Sequence, residues 1–194
     1  YFEKDFQLTV NDLKEIGSLE WTRLLGSRNS YPDPQSEFGT ALTTGTDGSI
    51  YIAGLTAGDL GVGDLDGQIY NGGYSDAFIS KYNPDGTKEW TKLLGTTVLD
   101  MGKALTTGLD GSIYIAGDTR GDLDGQTNIG NRDAFISKYN PDGTKEWTKL
   151  LGTTVLDMGE ALTTGLDGSI YIAGETRGDL DGQIYNGGYS DAFI

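Results

Sequence analysis

Acidic side chains at repeated positions are the residues of this chain whose chemistry is easiest to recognise. The phrase G-D-L-D-G-Q occurs three times, and a further aspartate opens the apolar run D-A-F-I that follows each copy. These aspartates are Asp64, Asp66, Asp76, Asp122, Asp124, Asp133, Asp179, Asp181 and Asp191. Calcium prefers carboxylate oxygens, and calcium loops begin with Asp-x-Asp. The pattern predicts Ca²⁺ ligands, and the alternative is that these side chains only cap turns.

Four tyrosines form a second candidate site. Two copies of Q-I-Y-N-G-G-Y-S carry Tyr70, Tyr74, Tyr185 and Tyr189. Exposed tyrosines flanked by Asn and Gly can stack on sugar rings and hydrogen-bond to hydroxyl groups. The pattern therefore favours a lectin-like ligand site as one interpretation, and ordinary packing against neighbouring strands as the other.

Composition narrows the classes of function. The chain has 14 basic and 29 acidic residues, a net charge of −15, and neither cysteine nor histidine. A surface this acidic repels phosphate, so we expect no nucleic-acid partner. No apolar run is long enough to span a bilayer, so we expect no membrane insertion. The commonest general base is missing, which argues against catalysis.

The chain contains internal sequence repeats that are nearly identical. Residues 76–126 recur as residues 133–183 with two changes, Lys103 to Glu160 and Asp118 to Glu175, and a looser copy precedes them. A period of about 57 residues is typical of repeat architectures, in which each unit packs on its neighbours. Copied units supply the same residues again, whereas a catalytic site needs different residues in different roles. An enzyme with an acidic central pocket, using a carboxylate pair as glycosidases do, is therefore only the third hypothesis.

Each repeat resolves into two hairpins that must position these side chains. Asp-Gly and Asn-Pro-Asp-Gly are strong turn signals between β-rich runs. In the middle copy they separate the predicted strands Ala104–Thr107, Ser112–Ala116, Ala134–Tyr139 and Lys145–Leu151. Four antiparallel strands per repeat describe a β-propeller blade, so we predict an all-β fold.

The domain organisation follows from the same pattern of predicted strands and turns. Residues 1–17 are predicted to end a preceding domain or form a linker, and residues 18–194 to form propeller repeats with blade boundaries near 39, 102 and 159. A lone fourth strand, Glu20–Leu25, opens this region, and the last blade stops within its third strand. Three blades cannot close a ring, because propellers close with about four to eight, so we expect a larger propeller or more than one chain.

The blade order also predicts where side chains lie. Loops that join the second to the third strand, and the fourth strand to the next blade, emerge at one end, so the repeated acids should gather there. The tryptophans at one strand position, Trp21, Trp90 and Trp147, are predicted to be core residues between blades.

The run ALTTGLDGSIYIAGDT…DAFISKYNPDGTKEWTKLLG resembles bacterial seven-bladed β-propeller (SBBP) repeats and, more distantly, NHL repeats. The opening FQLTVNDLKE resembles the end of a cadherin-like or immunoglobulin-like domain. SBBP repeats decorate large secreted bacterial proteins, so the resemblance implies an extracellular or cell-surface location. The resulting hypothesis is a non-catalytic, calcium-binding module for adhesion or scaffolding, with polysaccharide or another surface protein as partner. A free fragment could also form a homodimer that completes a six-bladed ring.

Overall fold

A computed structural model of the chain describes residues 21–25, 36–57 and 68–194, which form eleven β-strands. The predicted segment 1–17, Glu20, Asp64 and Asp66 lie outside these residues. The strands are β1 Glu37–Thr44, β2 Ile50–Thr56, β3 Asp76–Tyr82, β4 Lys88–Leu94, β5 Asp100–Thr107, β6 Ile113–Thr119, β7 Asp133–Tyr139, β8 Lys145–Leu151, β9 Asp157–Thr164, β10 Ile170–Thr176 and β11 Asp191–Phe193. No helix in the described part of the chain is long and apolar enough to cross a membrane.

The strands pair with their sequence neighbours in three antiparallel sheets. Two sheets have four strands, in the orders β1-β2-β3-β4 and β5-β6-β7-β8, and the third contains β9, β10 and β11. The turn residues explain this pairing: Gly111 and Gly143 adopt φ of 82° and 83°, which glycine adopts at no steric cost. The predicted all-β fold and its hairpins are confirmed, and the first strand of each blade begins two residues before the predicted boundary.

The sheets stack face to face, with their first strands β1, β5 and β9 adjacent. Glycine permits this contact, because a Cβ atom at Gly102 would lie 2.9 Å from the carbonyl oxygen of Gly54 in the preceding sheet. Hydroxyl groups tie the first strands together: Thr107 donates to the carbonyl of Thr44 at 2.8 Å, and Thr164 to that of Thr107 at 2.9 Å. Stacked four-stranded sheets with adjacent first strands are β-propeller blades.

The hydrophobic core lies between the stacked sheets. All seven residues of β6 are buried, as its two-sided apolar pattern indicates for a strand inside a stack. Ile113, Ile115 and Phe135 are fully buried and join residues of the first blade in one cluster. The middle blade, covered on both faces, therefore holds more buried residues than either neighbouring blade.

The two ends of the stack carry different connections. At the loop end, the second-to-third-strand loops meet the interblade segments: the amide of Asp100 donates to Ser75, and that of Asn131 to Val155. At the turn end, Lys81 pairs with Asp47 and Lys138 with Asp110, each at 3.3 Å. The predicted separation of loops and turns is confirmed.

The tryptophans lie between blades, as predicted, but not all are covered. Trp90 is buried, and its indole N–H donates to the carbonyl of Pro141 in the next blade at 3.2 Å. Trp147 contacts Tyr114 but remains 37% exposed, because the described part of the last blade ends after β11 and has no turn corresponding to Pro141 and Gly143, which cover Trp90. The expectation that Trp147 is a core residue is therefore wrong for this chain.

Candidate functional site

Two buried aspartates at the loop end link each interblade segment to its blade. Asp100 accepts hydrogen bonds from the amide of Thr96 at 2.6 Å and from its hydroxyl at 2.9 Å, and Thr119 donates to its other oxygen. Asp157 has the same three partners one repeat later, from Thr153 and Thr176. Burial raises the pKa of Asp100, although the threonine hydrogen bonds oppose this. These carboxyl groups hold the ends of strands together.

The aspartates that open the third strands are also buried in the first two blades. Asp76 accepts hydrogen bonds at one oxygen from the amide and the side chain of Asn71, at 2.8 and 3.0 Å. Asp133 accepts one from the amide of Ile129 at 2.9 Å. Burial, with a contribution from nearby Asp100, raises the pKa of Asp76 to about 6. Asp191 repeats the contacts of Asp76 through Asn186 but is less buried.

The G-D-L-D-G-Q phrase forms a tight turn. Asp124 and Gly125 have φ of 51° and 74°, and Leu123 and Gln126 exchange backbone hydrogen bonds of 3.0 and 2.9 Å. Positive φ at both central residues is typical of a type I′ turn, where Asp and Gly are preferred. Asp181 and Gly182 repeat this geometry. The turn places Leu123 in the core, with 1% of its surface exposed.

The side chains around this turn point to separate partners. Asp122 accepts a hydrogen bond from the amide of Asn128, and Asp179 accepts one from that of Tyr185, at 2.9 and 2.8 Å. Asp124 instead pairs with Lys145 and Thr148 on the outer strand. Within the described ranges, no three carboxyl groups are grouped so that they could hold one metal ion. Calcium binding stays a prediction; local backbone capping accounts for the contacts of Asp122 and Asp179, whereas Asp124 forms an ion pair with the outer strand.

The four candidate tyrosines divide into two kinds. Tyr70 and Tyr185 are half-buried and donate their hydroxyls to the carbonyls of Gly73 and Gly188, at 3.0 and 2.8 Å. Tyr74 and Tyr189 are 75% and 76% exposed. The guanidinium of Arg177 lies 4.0 Å from the ring centroid of Tyr189. The first pair positions its own loop, and the second pair is accessible to a ligand.

An ion-pair cluster contains residues from both positions at which segments 76–126 and 133–183 differ. Lys103 lies 2.8 Å from the buried Asp118 of its own blade and also contacts Glu160 of the next blade. Arg132 approaches the other oxygen of Asp118 at 3.1 Å. Burial lowers the pKa of Lys103, but the two carboxylates outweigh this effect and raise it. Sequence reasoning missed this cluster, although its signal was present as the two differences between the copies.

Comparison with known proteins gives limited similarity. No protein-family model matches the chain. The chain is 33% identical over 150 residues to the regulatory protein FlaEY of Caulobacter vibrioides, a match that covers 73% of this chain and 16% of that protein. The chain thus spans about one sixth of the length of this curated relative. Among solved structures, the periplasmic gluconolactonase PpgL of Pseudomonas aeruginosa matches with a TM-score of 0.41 and 11% identity, over 70% of this chain and 36% of that chain.

Proposed function

We propose that this chain is a non-catalytic binding and structural module of a bacterial surface or secreted protein, built from SBBP-type repeats. One observation supports a ligand surface at the loop end. Ile69 and Ile184 are each 80% exposed, and Tyr74 and Tyr189 are 75% and 76% exposed. Large apolar side chains presented together are typical of interaction sites. The proposed ligand surface comprises Ile69 and Tyr74 in one loop of the first blade and Ile184 and Tyr189 in the corresponding loop of the last blade.

The partners of the repeated acids support a non-catalytic role. An acid–base pair requires two carboxyl groups whose environments separate their pKa values. Asp100 and Asp157, by contrast, make equivalent hydrogen bonds in successive blades. We assign these carboxyl groups to the joints between strands.

We propose that the ligand is a polysaccharide or another surface protein. The alternative is a lectin-like module in which the exposed tyrosines stack on the sugar rings of a glycan. A glycan array probed with wild type, with Tyr74→Ala/Tyr189→Ala and with Ile69→Ser/Ile184→Ser tests it. Carbohydrate stacking predicts that only the tyrosine variant loses a bound glycan. Tyr171→Ala, away from the loop end, is the control. Equal glycan binding by all variants would contradict a carbohydrate site at these tyrosines.

Calcium binding at the loop end is a further part of the proposal. Asp122 and Asp179 are exposed and each accepts one backbone hydrogen bond, which leaves carboxylate oxygen accessible to a cation. Calcium at about 100 times its Kd would stabilise the fold by roughly 2.7 kcal/mol per independent site. Calorimetric titration and thermal melting in calcium and in chelator measure this, with Asp122→Asn/Asp179→Asn as the test variant. Asp142→Asn at the turn end is the control, and identical melting of wild type in both buffers would exclude the site.

A further inference from the structure

A buried carboxylate oxygen lies unpaired at each joint, the place where a second-to-third-strand loop meets the following interblade segment. Asp76 and Asp133 have 0% and 1% of their surface exposed, and Oδ2 of each accepts hydrogen bonds from its own loop. Oδ1 of each has no hydrogen-bond partner among the residues that the structure describes. The amide of Gly130, which also lies near Asp133, donates to Asn128 instead. Buried acceptors are normally paired, so the same unpaired atom at two joints indicates a missing ligand.

A second buried carboxyl group stands beside each of these aspartates. Asp100 lies near Asp76 and Asp157 lies near Asp133, and neither Asp100 nor Asp157 has exposed surface. Burial, and then the neighbouring Asp157, raise the pKa of Asp133. Within residues 21–25, 36–57 and 68–194, none of the four forms an ion pair with lysine or arginine. Each joint therefore holds two buried acids without the positive charge that usually accompanies them.

Backbone oxygens face the same place at the second joint. A Cβ atom at Gly130 would lie 2.3 and 2.5 Å from the carbonyl oxygens of Thr153 and Val155. The same position is 3.1 Å from Oδ1 of Asp133. These three oxygens are all acceptors, so none of them can donate a hydrogen bond to another. Carboxylate and carbonyl oxygens together are the ligands that Ca²⁺ prefers.

Glycines keep other side chains away from the unpaired oxygens. Gly95 and Gly152 directly follow the fourth strands, and a Cβ atom at either would come within 2.2 or 2.4 Å of Oδ1 of Asp76 or Asp133. Gly73 lies three residues before Asp76, and a Cβ atom there would lie 2.2 Å from a carbonyl oxygen of the interblade segment. The first joint thus combines an unpaired carboxylate oxygen with a nearby backbone carbonyl, as the second joint does.

We propose that each joint binds a divalent cation, with Ca²⁺ as the ion that these ligands favour. Oδ1 of Asp76 or Asp133 supplies a carboxylate ligand, and carbonyl oxygens of the interblade segment supply others. Asp100 or Asp157 balances the second positive charge. Ca²⁺ takes about six to eight oxygen ligands of these kinds, including water. The site is buried and bridges two blades, so it is separate from the exposed loop aspartates of the proposed function.

Calorimetric titration with calcium chloride, after treatment of the protein with a chelator, counts these sites. Asp122→Asn/Asp179→Asn, which lacks the exposed loop carboxylates, should still bind two Ca²⁺ per chain. Asp133→Asn, which keeps the shape of the side chain but not its charge, should remove one of the two buried sites. Asp142→Asn at the turn end is the matched control and should change nothing. Absence of binding by wild type or by Asp122→Asn/Asp179→Asn would overturn the proposal.

Thermal melting gives a second measurement, in which each protein is compared with itself in calcium and in chelator, so that the cost of a substitution cancels. Calcium should raise the Tm of Asp122→Asn/Asp179→Asn, because it binds the folded stack. It should not raise that of Asp76→Asn/Asp133→Asn. Equal gains in the two double variants, or a gain lost only in Asp122→Asn/Asp179→Asn, would overturn the proposal. Should the buried double variant fail to fold, the gain in the exposed one decides the question by itself.

Discussion

At the scale of single residues, burial shifts the pKa of several repeated aspartates, and Asp76 shows this most clearly. Asp76 has no exposed surface, two donors from Asn71 and a second carboxyl group, Asp100, nearby. Loss of hydration on burial disfavours its charged form. A carboxyl group in this environment holds its proton at a higher pH than an exposed one does.

This environment predicts that the stability of the fold depends on pH through Asp76. Its pKa is about 6 in the folded chain, above the ordinary value of 3.8. Its contribution to stability is therefore fully present below about pH 4 and is lost as the pH rises through about 6. The loss amounts to roughly 3 kcal/mol at most, at about 1.4 kcal/mol per pKa unit.

Urea unfolding of wild type and Asp76→Asn between pH 4 and pH 8, in chelator, measures this contribution. We expect the free energy of unfolding to fall less steeply with pH in the variant, which is neutral throughout. Part of the slope should remain, because burial also raises the pKa values of Asp100 and Asp133. Parallel profiles for the two proteins would show that Asp76 titrates alike in the folded and unfolded chains.

At the scale of the strands, each blade is stabilised by residues of the following blade that pack against its fourth strand. β4 and β8 have the same sequence, K-E-W-T-K-L-L, yet Trp90 is 8% exposed and Trp147 is 37% exposed. Gly143 of the second blade lies directly beneath the ring of Trp90, where a Cβ atom would approach within 3.0 Å. Identical strands therefore differ in energy because their neighbours differ.

The two tryptophans consequently make a matched pair of variants. Trp90→Ala should cost about 3–5 kcal/mol, the usual range for a buried large aromatic residue, and Trp147→Ala distinctly less. Chemical denaturation at concentrations where the chain is monomeric gives both values. Equal losses for the two variants would mean that the second blade does not cover Trp90 as described.

At the scale of the whole molecule, near-identical blades raise the question of how each finds its place in the stack. The long copies differ at two positions, and both enter one cluster, in which Lys103 contacts Asp118 and Glu160. The cluster joins the middle blade to the last one. Complementary charges at interfaces suppress wrong pairings, so these two differences favour one order of the copies.

Lys103→Glu, which makes the middle copy identical to the last at this position, tests that role. The variant leaves Arg132 as the only cationic partner of the buried Asp118 in this cluster. It also places the introduced carboxylate next to that of Glu160. Breaking a buried ion pair costs about 3–5 kcal/mol, and we expect a loss in this range. Chemical denaturation measures it, and Lys103→Met, which removes the charge without adding another, should fall between the variant and wild type. Unchanged stability in Lys103→Glu would remove the cluster from any role in ordering the blades.

The sequence by itself determined the period, the all-β class and the hairpins, because these depend on local chemistry. Asp-Gly and Asn-Pro-Asp-Gly specify turns within four residues, and the predicted limits of β8, Lys145–Leu151, agree with the structure. Only the tertiary structure decided which copy of a residue is buried, as Trp90 and Trp147 show, because burial depends on the next blade. It also decided that Asp122 and Asp124 point to separate partners and that Lys103 meets Asp118. Side-chain direction and contacts across blades arise from the stacking of sheets, which no local pattern encodes.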